Sequence, residues 1–374
     1  MFNFVDYSTR VRWRVMARRE AESERYEFWR DLPNLPERPT CAHKGTFGTT
    51  LIVAGSKGMA GAAGLAGAAA LRAGSGLTRV LCPETIQDAV ASYEREYTTI
   101  GAPCDERGRL TFDALDLIME EARKATAVAV GPGLGRSKDL DELILRLFFD
   151  LEKPAVFDAD ALNALAAKKI FHLDVNGDEK IDKKELSKAR QTNAPRVLTP
   201  HPGEYERLFN VPIHSCSTIR TLAARDGARR TFRYPITTPE DGGGYESCVV
   251  ALKGPGTVVA KTTTCVEICD DGGETEMKLV DNLRVNATGN ANLATGGSGD
   301  VLTGIIAGLI AQGLGVMAAT RVGAALHGIA AELRTTAATR GAVASDIVAF
   351  LPYAFDYYEL ARREALDGED DEEY

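Results

Sequence analysis

The sequence predicts an α/β fold in which a mostly parallel central sheet is covered by helices on both faces. Three observations carry this expectation: apolar runs of strand length recur along the chain, helix-length segments separate them, and a cluster of Gly or polar residues follows each run. Strands that are apolar on both faces and alternate with helices belong in a buried parallel sheet. Ligands of such sheets bind beyond the carboxyl ends of the strands, which is where the clusters fall.

Taken in order, residues 1–30 are charged, with Trp13, Tyr26 and Trp29 interspersed, and are expected to form a helical or loosely ordered extension; Pro33, Pro36 and Pro39 mark a linker ending near residue 40. TLIVAG opens the sheet pattern, and an Ala/Gly-rich stretch follows to Ala73. LTRVLCP, a helix beginning at Glu84, AVAVG at 127–131, PAVFD at 154–158, PRVLTP at 195–200 and VVALKG at 249–254 continue it. Val301 to Thr320 is uncharged and approaches membrane-spanning length. Gln312, Gly313 and Gly315 interrupt that run, so it reads as a buried helix turning into a second one. Three polar segments, 168–194, 228–247 and 267–283, are expected as surface insertions, and 361–374 as a solvated acidic tail.

The 374 residues include 44% hydrophobic and 26% charged residues, enough apolar material for a sizeable core and too much for a disordered chain. Lys+Arg 44 against Asp+Glu 53 gives a net charge of −9, which argues against a nucleic-acid partner because phosphate neutralisation needs a clustered basic surface. Seven scattered cysteines read as reduced thiols, and the close pair Cys265 and Cys269 has no neighbouring His to make a zinc site. No apolar segment of a secretory signal is visible in MFNFVDYSTRVRWRVMARRE, so the expectation is a cytoplasmic protein without a membrane partner.

The chemistry concentrates at strand ends. GSKGMAG is not a dinucleotide fingerprint, and no P-loop is present. GNANLATGGSGDVLTGIIAGL is more specific, because Gly296, Gly297, Ser298 and Gly299 would supply consecutive backbone amides just before an apolar helix. Such amides, with the helix dipole, form an anion hole for a transferring phosphoryl group. Asp300, beside it, could accept the proton of an attacking hydroxyl, although an Asp there can also be an ordinary N-cap.

GGSGD before a helix resembles the ribokinase-like superfamily. With HKGTFG (43–48), the GS…M-GAA stretch (55–63), GPGLG (131–135), DADALN (158–163), LTPHPGE (198–204), LKGPGT (252–257), GNANLATGGSGD (289–300) and LIAQGL (309–314), the chain resembles the ADP/ATP-dependent NAD(P)H-hydrate dehydratase family, the carboxyl-terminal domain of the YjeF-type repair proteins, from about His43 to Pro352. The resemblance implies a ribokinase-like domain over 41–360 that repairs hydrated NADH and NADPH. ADP or ATP, with Mg²⁺, would phosphorylate the hydrate hydroxyl, and loss of phosphate would restore the reduced cofactor. It implies Asp300 as the base; Gly299, Asn290 and Lys253, Gly254, Pro255, Gly256 and Thr257 at the nucleotide, the last five at its AMP portion; and Ala62, Ala63, Gly133 and His201 around the hydrate. His201 could instead only cap a strand-to-helix turn, and Asn163 is a further polar candidate near the phosphates. PHPGE resembles the bacterial branch, in which ADP is the usual donor. A homo-oligomer, by resemblance a tetramer, is expected, and with about 40 residues before the match a hydrate epimerase would be a separate pathway partner.

One feature falls outside this resemblance. In DVNGDEKIDKKE, Asp174, Asn176, Asp178, the carbonyl of Lys180, Asp182 and Glu185 occupy the oxygen-ligand positions of an EF-hand loop, with Ile181 at the apolar position. Glu179 replaces the glycine of the sharp turn, so a weak structural Ca²⁺ site is expected, with Ile170, Leu173 and Leu186 as an apolar seam. Two other functions remain open at this stage: a small-molecule kinase of the same superfamily, and a calcium-binding regulator whose core is inactive.

Overall fold

The computed structural model of the chain describes residues 22–172, 194–213, 217–232, 248–267, 276–337 and 340–367. Nine strands form one sheet in the order β3-β2-β1-β4-β5-β6-β7-β8-β9. They are β1 (Thr49–Val53), β2 (Leu77–Pro83), β3 (Thr98–Ala102), β4 (Ala127–Val130), β5 (Ala155–Phe157), β6 (Arg196–Leu198), β7 (Val249–Leu252), β8 (Val258–Glu267) and β9 (Glu276–Val285). Pairing is parallel from β3 through β7 and antiparallel from β7 to β9. All six strands expected from apolar runs are present. Of the segments expected as surface insertions, 267 and 276–283 belong to β8 and β9, and 228–232 is the end of a helix.

The helices are α1 (Glu22–Asp31), α2 (Ala60–Arg72), α3 (Gln87–Ala91), α4 (Leu115–Arg123), α5 (Lys138–Asp150), α6 (Asp160–Ala167), α7 (Pro202–Phe209), α8 (Ser217–Phe232), α9 (Ser298–Ala311), α10 (Val316–Ala337) and α11 (Ala344–Asp367). Side chains alternate across each strand, so β1 sends Ile52 to one face and Leu51 and Val53 to the other. The first face packs against α2, α9, α10 and α11, and the second against α4 to α8. α5 shows why these segments are helical: Ser137 accepts the Leu140 amide at 3.0 Å as the N-cap, and Leu140, Leu143, Ile144, Leu147 and Phe148 make one buried face. Val301 to Thr320 is the expected helical pair, α9 turning at Gln312–Gly315 into α10. Among the described residues no helix is long and apolar enough to cross a membrane.

The described part of the extension is docked. Trp29 and Leu32 are buried, and the Trp29 ring meets the Tyr357 and Tyr358 rings of α11 edge-on, centroids 6.0 Å apart. The Tyr358 hydroxyl donates to the Pro33 carbonyl at 2.6 Å, and Arg362 Nε to the Leu32 carbonyl at 2.8 Å. α11 itself continues to Asp367, past the start of the expected acidic tail. Ile170, one residue of the expected calcium-loop seam, is buried in the core beside Phe171, while Leu173 and Leu186 lie outside the described residues.

Candidate active site

The carboxyl ends of β1, β4, β5, β6 and β7 lie side by side, and the first turn of α9 comes down beside them. Gly297 starts this turn in the left-handed region (φ 85°), which a residue without Cβ adopts freely. Ser298 is turned inward: its amide donates to the Thr295 carbonyl at 3.3 Å, and its hydroxyl lies 3.1 Å from Nε2 of the buried His327. Burial pushes His327 down to about 4, so the imidazole is neutral. Of the expected hole of Gly296, Gly297, Ser298 and Gly299, the Ser298 amide is already bonded, whereas the amides of Gly299 and Asp300 have no partner within the turn.

Asp300 is largely buried. Burial first, then the neighbouring Asp158 carboxylate, push its carboxyl up to about 7, against the opposing pull of Lys253. Asp158 follows β5 and is 1% exposed; its two oxygens accept from Lys253 Nζ at 2.6 Å and from the Thr303 hydroxyl at 2.7 Å. Lys253 also lies 3.7 Å from Glu204. Burial alone would lower the Lys253 ammonium, but Asp158, Glu204 and Asp300 outweigh it and hold the group above its ordinary value. Burial raises Glu204, with Lys253 opposing. Asp158, Glu204 and Thr303 were not singled out from the sequence, although the first two sit in DADALN and PHPGE.

His201 is the N-cap of α7. Its Nδ1 accepts the Gly203 amide at 3.1 Å, while Glu204 returns a carboxylate to the His201 amide at 2.8 Å. The capping alternative is thus realised, and the half-exposed ring keeps Nε2 at 3.5 Å from Glu204. Burial, together with Lys253 and Arg207, lowers the ring's basicity. Gly133, at φ 62°, comes so close to α2 that a Cβ built on it would lie 2.8 Å from the Ala62 Cβ; the Ser56 hydroxyl donates to its carbonyl at 2.7 Å. Ala63 packs beside Gly55 at the same helix start, so Ala62, Ala63 and Gly133 are brought together.

The loop Lys253–Thr257 is tied at both ends, by the Lys253 amide to the Pro200 carbonyl and by the Asn286 amide to the Thr257 carbonyl, both at 2.8 Å. The Lys253 ammonium turns inward to Asp158, next to Gly299. Asn290 is committed elsewhere: Nδ2 donates to the Ala331 carbonyl and the Thr335 hydroxyl, and Oδ1 accepts the Asn292 amide. Asn163 bridges Arg207 and Asp160. Among the described residues no group of three or more His, Cys, Asp or Glu could hold a metal ion. The candidate calcium ligands Asp174, Asn176, Asp178, Lys180, Asp182 and Glu185 lie outside the described residues.

This open α/β sheet, with a buried carboxyl at one helix start, is a fold shared by a ribokinase-like superfamily protein of Enterococcus faecalis V583 (20% identity, TM-score 0.59, 89% of this chain and 94% of that one). Residues 50–352 match the NAD(P)H-hydrate dehydratase family, and the chain belongs to it. It is 37% identical over 320 residues to the bifunctional NAD(P)H-hydrate repair enzyme Nnr of Moorella thermoacetica, covering 85% of this chain and 51% of that protein. For Nnr of Escherichia coli K12 the figures are 34% over 317 residues, 84% and 49%. The chain thus spans about half the length of these relatives. The Bacillus subtilis ADP/ATP-dependent NAD(P)H-hydrate dehydratase, co-crystallised with ATP/Mg²⁺, is 28% identical with a TM-score of 0.61, covering 89% of this chain and 97% of that one.

Proposed function

We propose that this chain dehydrates hydrated NADH and NADPH at the expense of ADP or ATP, regenerating the reduced cofactor. The observation that carries the reading is the position of the α9 start. On one side Gly297 abuts Leu65 of α2, the helix of Ala62 and Ala63; on the other Gly299 faces Lys253, the first residue of the KGPGT loop. Asp300 and the free amides therefore stand between a pocket for the hydrate and a loop for the nucleotide.

Asp300 accepts the hydrate's hydroxyl proton, and the oxygen attacks the terminal phosphorus of the nucleotide. Charge developing on the transferring group meets the Gly299 and Asp300 amides and the α9 dipole, with the Lys253 ammonium nearby. AMP leaves when ADP is the donor, or ADP when ATP is. Expulsion of phosphate from the ester, with loss of a ring proton, then restores the double bond; phosphate departs where hydroxide would not. Asp158 has both oxygens occupied, so the residues present fit a Mg²⁺ ion held by nucleotide phosphates and water and not by a protein cage. When bound, that ion neutralises phosphate charge. The test is incubation with hydrated NADH, Mg²⁺ and ADP or ATP: returning nicotinamide absorbance supports the reading, a stable phosphate ester indicates a kinase, and no turnover with either nucleotide refutes it.

From sequence alone we also infer a weak Ca²⁺ loop over Asp174–Glu185 that orders the insertion without taking part in catalysis. Ca²⁺ should protect 168–190 from trypsin, and Asp174→Ala/Glu185→Ala should abolish that protection; equal cleavage with and without millimolar Ca²⁺ refutes it.

A further inference from the structure

α8 contributes a side chain that neither the motifs nor the mechanism uses. Arg220 is 6% exposed, burial of its guanidinium lowers its basicity, and among the described residues no carboxylate offsets that burial. Its donors go to the nucleotide loop: Nη2 donates to the Leu252 carbonyl at 3.1 Å, and Nη1 to the Pro255 carbonyl. Nε is buried without a hydrogen-bond partner. The guanidinium also lies directly beneath Gly254, where φ is 142° and an added Cβ would come within 2.8 Å of Nη2.

A buried cation without a counter-ion is costly, and here only carbonyl dipoles compensate it. The arrangement polarises the loop. Its carbonyls at Leu252 and Pro255 turn toward Arg220, while the amides of Gly254 and Gly256 have no partner among the described residues. Two free glycine amides, one on each side of Pro255, close to a fixed positive charge suit an anionic ligand.

We infer that Arg220 is the positioning residue that holds the Lys253–Thr257 loop in its nucleotide-binding shape, so that it sets nucleotide affinity without touching the reacting atoms. This rests on the nucleotide role of the loop proposed above. The two are separated by measuring binding apart from turnover: calorimetric titration of the full chain with ADP, and with AMP, alongside steady-state kinetics.

In Arg220→Met, ADP affinity should fall by roughly tenfold or more, about the loss of one charge-assisted hydrogen bond. The nucleotide KM should rise in parallel, with kcat at saturating nucleotide and the hydrate KM within about threefold of wild type. Arg220→Lys keeps the buried charge but not the fork, and serves should the Met variant fail to fold. Its ADP affinity should lie between wild type and Arg220→Met. Wild-type ADP affinity in either folded variant, or a fall of kcat at unchanged nucleotide KM, overturns the inference. Failure of the wild-type chain to bind ADP or AMP refutes the loop assignment instead.

Discussion

Asp300→Asn tests the most consequential electrostatic feature of the site. The carboxyl is raised from 3.8 to about 7, chiefly by burial and then by Asp158. Because the folded value lies above the unfolded one, the protonated carboxyl's contribution to stability is complete below about pH 4. It is lost as pH rises from there through about 7, where the native state must hold a charge it disfavours. At 1.36 kcal/mol per pH unit the loss approaches about 4 kcal/mol, an upper bound because neighbouring groups relax. Asparagine keeps the shape without ionising. Urea unfolding of both proteins should therefore give similar stabilities near pH 4.5, with the variant gaining several kcal/mol by about pH 8. The same variant should lose about 10²–10⁴-fold in turnover, as loss of a general base does. Stability curves that run parallel across this range would show that Asp300 is not held neutral; a variant keeping more than about a tenth of wild-type activity would show that it is not the base.

Wild-type kcat/KM should rise with pH through a midpoint near 7 as Asp300 ionises; a flat profile there assigns the base elsewhere. Lys253→Met should cost about 3–5 kcal/mol in urea unfolding, because Asp158 stays buried without its cation, and should move the kinetic midpoint to higher pH. A pure rise in nucleotide KM would return Lys253 to the AMP contact expected from sequence. Gly133→Ala should raise the hydrate KM and leave the nucleotide KM unchanged, since its Cβ meets Ala62, at a stability cost of about 1–2 kcal/mol for the left-handed residue. Arg196→Met should lower stability by about 3 kcal/mol or more with kcat intact, because this buried guanidinium serves the carbonyls of Phe148, Leu151, Lys153 and Ala194. An unchanged melting temperature would contradict that reading.

Six of the parallel strands were legible because each is apolar on both faces and ends in a glycine or polar cluster; β3, the half-exposed edge strand TTIGA, was not. β8 and β9 were not, since one side of this antiparallel ribbon is wet: Val280 is 44% exposed, whereas Asp281 points inward to Arg229 and Thr262. Alternation along LVDNLRV is the signal that could have found β9, but its charges read as an insertion. The grouping of Asp300 with the glycines of α9 was legible because neighbours in sequence are here neighbours in one helix start. The ion pair of Lys253 was hidden for the opposite reason. Its partner Asp158 is separated from it by 95 positions, and nothing local to KGPGT shows that the ammonium turns back under the sheet edge. Arg220 is silent for the same cause, an arginine in an ordinary helix until β7 brings its loop alongside.

The Gly/Ala richness of α2 and α9 has a consequence beyond packing. A Cβ on Gly304 would collide with the Ala66 carbonyl, and one on Gly308 with the Ala70 carbonyl at 2.7 Å, so the two helices meet backbone to backbone. Contacts of that kind leave no long side chain to adjust between them. Ala62 and Ala63 open one helix and Asp300 the other, so in the proposed mechanism the separation of the hydrate pocket from the base is set largely by main chain. Phosphoryl transfer loses heavily when reacting groups shift by about an ångström. In the proposed reaction the small residues thus hold the geometry on which the chemistry would depend, while the buried carboxyl at α9 would supply the reactivity. Enlarging either glycine would disturb both ends of the site at once, although neither touches a ligand.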